Sequence, residues 1–297
     1  MRDLAAAEGL SAESGPRLSP GEFALFRAFL HREAGIALRD DKRPLVENRL
    51  RRRVAATGSR SYGEYYRRFV ERDLAERQRM IDCLCTNETS FFRDARQFAW
   101  IEHEFLPRWR RRVAEGARPP VMRVWSAACS TGEEPFSLAM LALDALADAP
   151  GLGVEVIASD LSTRALEAAR SATFPLRRAA EIPEKLLKRF MLRGTGEQAG
   201  NMRAAKPLRE VVRFTHVNLT AADAFPGGCD LVLCRNVMIY FDAQTRARLM
   251  KRLALALAPG GALLLGHADG VLDGPAELRR MMPTVFGCGG DPAWSSP

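Results

Sequence analysis

Two acids, one in the turn that follows a short apolar run and one that closes such a run, carry the clearest chemistry in the chain. Glu133 stands in the turn Ala127-Ala128-Cys129-Ser130-Thr131-Gly132-Glu133-Glu134-Pro135, which follows the run Val121-Met122-Arg123-Val124-Trp125-Ser126. Asp160 closes a second run, Val154-Glu155-Val156-Ile157-Ala158-Ser159. An acid at the end of a parallel strand can accept both hydroxyls of a ribose. The first turn has one glycine instead of the G-x-G-x-x-G series that brings a backbone against a pyrophosphate, and it lacks the lysine of a P-loop. Dinucleotides and nucleoside triphosphates are therefore disfavoured. Carboxylates suit a nucleoside without phosphates that carries an amino group and a sulfonium, which is the chemistry of S-adenosylmethionine. Taken singly, Glu133 also reads as a helix-capping acid, Asp160 as an N-cap and Gly260-Gly261 as an ordinary turn; their order along one sheet favours the joint reading.

The elements that must hold these acids are legible in the patterning. Strand 121–126, a buried helix over 135–143, strand 154–160 and a helix over 162–170 alternate as a parallel α/β sheet does. Further strands are expected at 211–217, 230–235 and 262–266, the last after a helix at about 243–257 and the turn Pro259-Gly260-Gly261. Residues from about 171 to 210 break the alternation and read as an insertion with structure of its own. Ahead of this, Ser19-Pro20-Gly21-Glu22 is a helix start with a capping box, and Phe23, Phe26 and Leu30 follow at helical spacing, predicting a helix over 20–34. Val46, Leu50 and Val54 form an apolar stripe, with Arg49, Arg52 and Arg53 expected to point outward beside it. Tyr62, Tyr65, Tyr66 and Phe69, then Met80, Ile81 and Leu84, extend the pattern to a small helical bundle. The organisation predicted is a leader at 1–18, a helical domain at 19–92, an α/β domain at 93–286 and a flexible tail at 287–297.

Composition narrows the classes further. A chain of 297 residues suggests two domains at about 150 residues each. Its 47% hydrophobic content is ordinary, and no run reaches the ~20 apolar residues of a membrane span. The first residues lack the pattern of a secretory signal, so a cytoplasmic location is expected, without membrane insertion. Six dispersed cysteines without a Cys-x-x-Cys pair, and only four histidines, point to reduced thiols and no metal. The net charge is +8, and residues 42–80 hold twelve Lys or Arg against five Asp or Glu. That concentration predicts either a solvated helical surface or an acidic partner. Nucleic acid is a poor candidate, since no DNA-binding signature accompanies the charge.

At its functional residues the chain resembles the CheR-type chemotaxis receptor methyltransferases. The matching runs are Thr86-Asn87-Glu88-Thr89-Ser90-Phe91-Phe92-Arg93, Trp125 to Pro135, Ala158-Ser159-Asp160, and Cys234-Arg235-Asn236-Val237-Met238-Ile239-Tyr240-Phe241, and similarity extends over about 20–286. The resemblance implies an all-α N-terminal domain, a Rossmann-like class I methyltransferase domain, and a small antiparallel β subdomain inserted at about 171–210. By motif position it implies cofactor contacts from Asn87, Thr89, Arg93, Glu133, Asp160, Asn218, Leu219, Arg235 and Asn236. It places Arg93 and Tyr240 nearest the transferred methyl. Phe91 and Phe92 also read as packing between the domains. Departures occur at Ala172-Thr173-Phe174, where relatives commonly carry Gly-Ile-Tyr, and at His267-Ala268-Asp269, where they tend toward His-Ser-Glu.

The activity so implied is transfer of methyl from S-adenosylmethionine to glutamate carboxylates of chemoreceptors, leaving S-adenosylhomocysteine. A glutamate with a pKa of about 4.3 is already an anion at neutral pH, so no general base is required. The implied partners are acidic cytoplasmic helices of the receptor, steered by Arg49, Arg52 and Arg53; whether a receptor tail peptide docks on the inserted subdomain stays open. Nothing compels more than a monomer. Two other readings are a methyltransferase of the same fold acting on a signalling protein outside chemotaxis, and a non-enzymatic S-adenosylmethionine-binding regulator.

Overall fold

The computed structural model describes residues 15–270 and 274–288, and the chain divides into two units after Cys85. Most of the expected leader and tail lies outside the described residues. At the edges that are described, two expectations are corrected: Leu18 is buried with its amide on Glu47 Oε2 at 2.9 Å, and Gly287 and Cys288 belong to a strand.

The first unit is all helical. Helix α1 (Pro20–Ala34) starts as its capping box requires, with Ser19 N donating to Glu22 Oε2 at 3.0 Å and Glu22 N to Ser19 Oγ at 3.3 Å. Helices α2 (Arg43–Ala56), α3 (Tyr62–Tyr65), continued by a π turn over Tyr66–Val70, and α4 (Leu74–Leu84) complete it. Val46, Leu50 and Val54 are buried as the stripe predicted, against a core that includes Phe26, Tyr62, Tyr65 and Met80. The arginines beside that stripe do not all face solvent. Arg53 donates from Nε to Glu76 Oε1 at 2.8 Å and from Nη2 to Glu76 Oε2, and Tyr65 Oη donates to the same carboxylate at 2.9 Å. Arg49 Nη1 donates to the Leu84 carbonyl at 2.6 Å, whereas Arg52 is exposed. Glu76 is buried and attracts a guanidinium, which overrides the helical period at position 53. Burial alone would raise the Glu76 carboxyl, but the bonds from Arg53, then Tyr65, hold it below its ordinary range.

The second unit begins with α5 (Ala95–Trp100), a π turn, and α6 (Leu106–Ala114), on which Leu106 and Trp109 are buried and the Arg110-Arg111 side is exposed. It continues through β1 (Val121–Ala127), α7 (Glu133–Ala145), β2 (Gly153–Asp160) and α8 (Thr163–Ser171). The insertion supplies β3 (Thr173–Pro175), α9 (Glu184–Phe190), β4 (Met191–Arg193) and β5 (Asn201–Ala204), forming an antiparallel sheet in the order β3-β5-β4. Ala172 closes α8 at φ 52°, a left-handed position that glycine occupies with less strain, so the departure from Gly falls at a helix cap.

The main chain then runs through α10 (Lys206–Val211), β6 (Val212–His216), β7 (Cys229–Cys234), α11 (Ala243–Ala256) and β8 (Leu257–Leu265), and ends in β9 (Leu278–Met282) and β10 (Val285–Cys288). The sheet order is β6-β2-β1-β7-β8-β10-β9, with the five strands from β6 to β8 parallel and the last two antiparallel. Every residue of β7 is buried, as expected for a parallel strand covered on both faces. The expected turn at Pro259-Gly260-Gly261 is instead a bulge inside β8. A Cβ on Gly261 would meet Cys229 O at 2.8 Å, so only glycine lets the two backbones approach there. Among the described residues no helix is long and apolar enough to cross a membrane.

Candidate cofactor site

The chain moves outward from β1 to β2 and β6 on one side, then restarts at β7 on the other, so the switch point of the sheet lies between β1 and β7. Ligands of such sheets bind outside the carboxyl ends of strands at that point. The turns there are Ala128–Gly132 after β1 and Arg235–Tyr240 after β7. Both use strained backbone: Ala128 has φ 64°, Ser130 φ 50° and Asn236 φ 59°. A third segment adds Phe92 at φ 49° and Asp94 at φ 71°. Of the six non-glycine residues with positive φ among those described, five lie in these three segments, and such strain persists only where surrounding bonds over-determine it.

Those bonds are present. The segment 87–94 has neither strand nor helix partners until Ala95, and side chains of the α/β unit take up its backbone instead. Ser130 Oγ donates to Asn87 O at 3.0 Å, Arg178 Nη1 to Thr89 O at 2.8 Å, and Arg235 Nη2 to Arg93 O at 2.5 Å. Phe91 N donates to Glu181 Oε2 at 2.9 Å and Phe92 N to Ser137 Oγ at 3.0 Å. Phe91 is buried with its ring 4.8 Å from that of Phe174 of β3, so it packs within this unit. These anchors explain why the unit boundary follows Cys85 and not residue 92, as the sequence suggested.

The acids sit at the same end of the sheet. Glu133 is 3% exposed at the start of α7; its Oε2 accepts the Thr131 hydroxyl at 2.6 Å, and its Oε1 lies 3.9 Å from Arg178 Nη2. Asp160 accepts Ser130 N on Oδ2 and Ser162 N on Oδ1, both at 2.8 Å, so it braces the first turn. Burial raises its carboxyl above the ordinary range in spite of the amides of Ser162 and Ser130. The alternative reading of Asp160 as an N-cap fails, because that role belongs to Ser162, whose hydroxyl accepts the Ala165 amide at 3.1 Å.

Arg235 is buried and bonds Glu134 Oε2 at 3.0 Å, while Glu134 Oε1 accepts the Ser126 hydroxyl at 2.7 Å. Asp269 gathers the turn after β7, accepting Asn236 N and Gly266 N at 2.7 Å on Oδ2 and Met238 N at 2.9 Å on Oδ1. The 3-10 turn Met238–Tyr240 so fixed carries Tyr240, which is partly exposed; Arg93 is exposed, its Nη1 on Glu88 O at 3.1 Å. Asn218 and Leu219 follow β6, with Asn218 Oδ1 accepting Thr220 N at 3.0 Å and the Leu219 carbonyl accepting Arg252 Nη1 at 2.7 Å. Cys129 and Cys234 flank the site with buried thiols that burial raises well above their ordinary pKa.

Hydrogen bonds thus join Asn87 to Asp160 through Ser130, and Arg93 directly to Arg235, while Arg49, Arg52 and Arg53 belong to the helical unit. Sequence reasoning missed Arg178, Glu181, Glu134, Ser137 and Asp269. Only Glu134 and Asp269 stood in quoted motifs, and neither had a pattern that announced its partner. The donor set suits a sulfonium nucleoside: two nearly buried acids would answer an ammonium and ribose hydroxyls, and Arg235 Nε is buried without a hydrogen bond, an unspent donor. Among the described residues no group of three or more His, Cys, Asp or Glu side chains is placed to hold a metal.

Comparison with known proteins shows the family of the chain. The family model of the CheR methyltransferase SAM binding domain matches residues 87–286, and that of the CheR methyltransferase all-alpha domain matches residues 21–85. Chemotaxis protein methyltransferase 2 of Pseudomonas aeruginosa is 39% identical over 268 residues, covering 89% of this chain and 92% of that protein. The chemotaxis protein methyltransferase of Salmonella typhimurium is 39% identical over 279 residues, 93% of each chain, and that of Escherichia coli is 39% identical over 254 residues, 85% of each. With both family models matched end to end across the two units, the chain belongs to the CheR methyltransferase family.

Proposed function

We propose that this protein transfers the methyl group of S-adenosylmethionine to glutamate side chains of chemoreceptors, producing methyl esters in the cytoplasm. The observation that carries the reading is the anchored segment 87–93, whose backbone is held by Ser130, Arg178, Glu181, Ser137 and Arg235 beside the acids Glu133 and Asp160. Such preorganisation suits a reaction driven by alignment. The bound cofactor supplies an electrophilic methyl on a sulfonium.

The protein's own residues do the rest. Glu133 and Asp160 bind the cofactor's amino group and ribose, with Asn87, Thr89, Asn218, Leu219, Arg235 and Asn236 completing its site. Arg93, on the anchored segment, orients a carboxylate through its forked donors, and Tyr240 donates a positioning hydrogen bond. The acceptor is an anion at neutral pH, so a site without a general base is sufficient. The basic face of α2 that includes exposed Arg52 draws the acidic receptor helices. The test is transfer of labelled methyl from S-adenosylmethionine to purified cognate receptor. A base-labile label on receptor glutamates is the expected result, and its absence, or a base-stable label, rejects the reading.

A further inference from the structure

The insertion reaches the segment 87–93 through an ion pair and a ring contact. Arg178 and Glu181 lie on the 3-10 turn Leu176–Glu181, directly after β3. Arg178 Nη1 donates to Thr89 O at 2.8 Å and to Glu181 Oε1 at 3.0 Å, and Glu181 Oε2 accepts Phe91 N at 2.9 Å. The pair therefore closes a ring through the backbone of residues 89 to 91, taking up one carbonyl and one amide that no regular element satisfies. The same guanidinium places Nη2 at 3.9 Å from Glu133 Oε1, so it also sets positive charge beside a nearly buried acid. Phe174, from β3 of the same insertion, packs edge-on against Phe91.

We propose that Arg178 and Glu181 are positioning residues for methyl transfer, holding Asn87 and Thr89 in the arrangement that binds the cofactor, with the Arg178 guanidinium facing Glu133. The inference rests on the assignment of segment 87–93 and Glu133 to the cofactor site. It makes the inserted subdomain part of the cofactor-binding machinery in addition to any part it has in partner choice. Both bonds are charge-assisted, so losing either leaves a backbone group of the segment unpaired.

The test uses the full-length protein with Arg178→Gln, Arg178→Lys and Glu181→Gln. Calorimetry with S-adenosylhomocysteine, steady-state kinetics with S-adenosylmethionine and purified receptor, and ligand-free thermal unfolding are measured on each. Arg178→Gln is expected to weaken S-adenosylhomocysteine binding by about tenfold to a hundredfold and raise KM for S-adenosylmethionine in step. KM for the receptor should stay near wild type, and ligand-free stability should fall by much less than the binding free energy does. Arg178→Lys should recover part of the affinity, because one ammonium reaches fewer acceptors than a guanidinium. Glu181→Gln, which keeps an acceptor for the Phe91 amide, should lose less affinity than Arg178→Gln while speeding hydrogen exchange at that amide. Wild-type affinity in Arg178→Gln overturns the proposal, as does an affinity loss matched by an equal loss of ligand-free stability. Failure of the wild-type protein to bind S-adenosylhomocysteine overturns the underlying site assignment instead.

Discussion

Arg235 holds the backbone of Arg93: its Nη2 donates to the Arg93 carbonyl at 2.5 Å while its Nη1 is fixed by Glu134 at 3.0 Å. A fork is needed to serve both acceptors, which lysine lacks. Arg235→Lys should therefore lower the methylation rate at least about tenfold, the cost of one charge-assisted hydrogen bond. Glu134→Gln should have a smaller effect in the same direction, since an amide oxygen still accepts from Nη1. Equal rates for Arg235→Lys and wild type, measured by labelled-methyl transfer, would show that Arg93 is placed by other means.

Tyr240 sits on a turn fixed by Asp269, not by its own phenol. Removing the hydroxyl should thus leave the fold and cofactor binding intact. Tyr240→Phe is expected to cut kcat by about tenfold, the worth of one neutral hydrogen bond, with an unchanged calorimetric Kd for S-adenosylhomocysteine. Full turnover in this variant removes Tyr240 from the reaction.

Neighbouring arginines on α2 should respond differently to charge reversal. Arg52 is exposed, so Arg52→Glu should slow receptor methylation and flatten its dependence on salt, leaving cofactor affinity and stability alone. Arg53 is bonded to buried Glu76, so Arg53→Glu should destabilise the protein by about 3 kcal/mol or more, because a buried carboxylate then faces another acid. Denaturant unfolding of the two variants separates these outcomes; equal stability would mean that the Glu76 pair contributes little.

The same pair sets a pH dependence. Glu76 has a folded-state pKa below its unfolded value, so its contribution is complete above about pH 4.3 and is lost as pH falls through the lower folded value. Thermal unfolding of wild type should weaken on acidification through that range. Glu76→Gln should be less stable at pH 7 and nearly level with wild type in acid. A constant gap between the two curves would contradict the assignment.

How far the sequence could be read depended on how far apart the partners lie in it. The capping box at Ser19 and Glu22, the stripe Val46, Leu50 and Val54, and the acids Glu133 after β1 and Asp160 closing β2 are local signals, and the structure bears out the elements they predicted. The insertion was visible only as a failure of alternation, because its strands are three or four residues long. The β9-β10 hairpin went unread: Arg279 and Arg280 interrupt any apolar alternation in an edge strand. Arg53 could not be told from Arg52 by helical period, since its partner lies 23 residues away. Arg178 and Glu181 meet Thr89 and Phe91 across 89 and 90 residues, a separation at which no single-sequence pattern operates.

A sulfonium methyl donor is an alkylating agent, and the softest nucleophiles in a protein are its thiolates. Cys129, in the turn after β1, and Cys234, at the end of β7, flank the candidate cofactor site, yet their burial favours the unreactive thiol form. These two sulfurs are thereby held in the form least able to take the methyl, leaving it to an incoming oxygen anion.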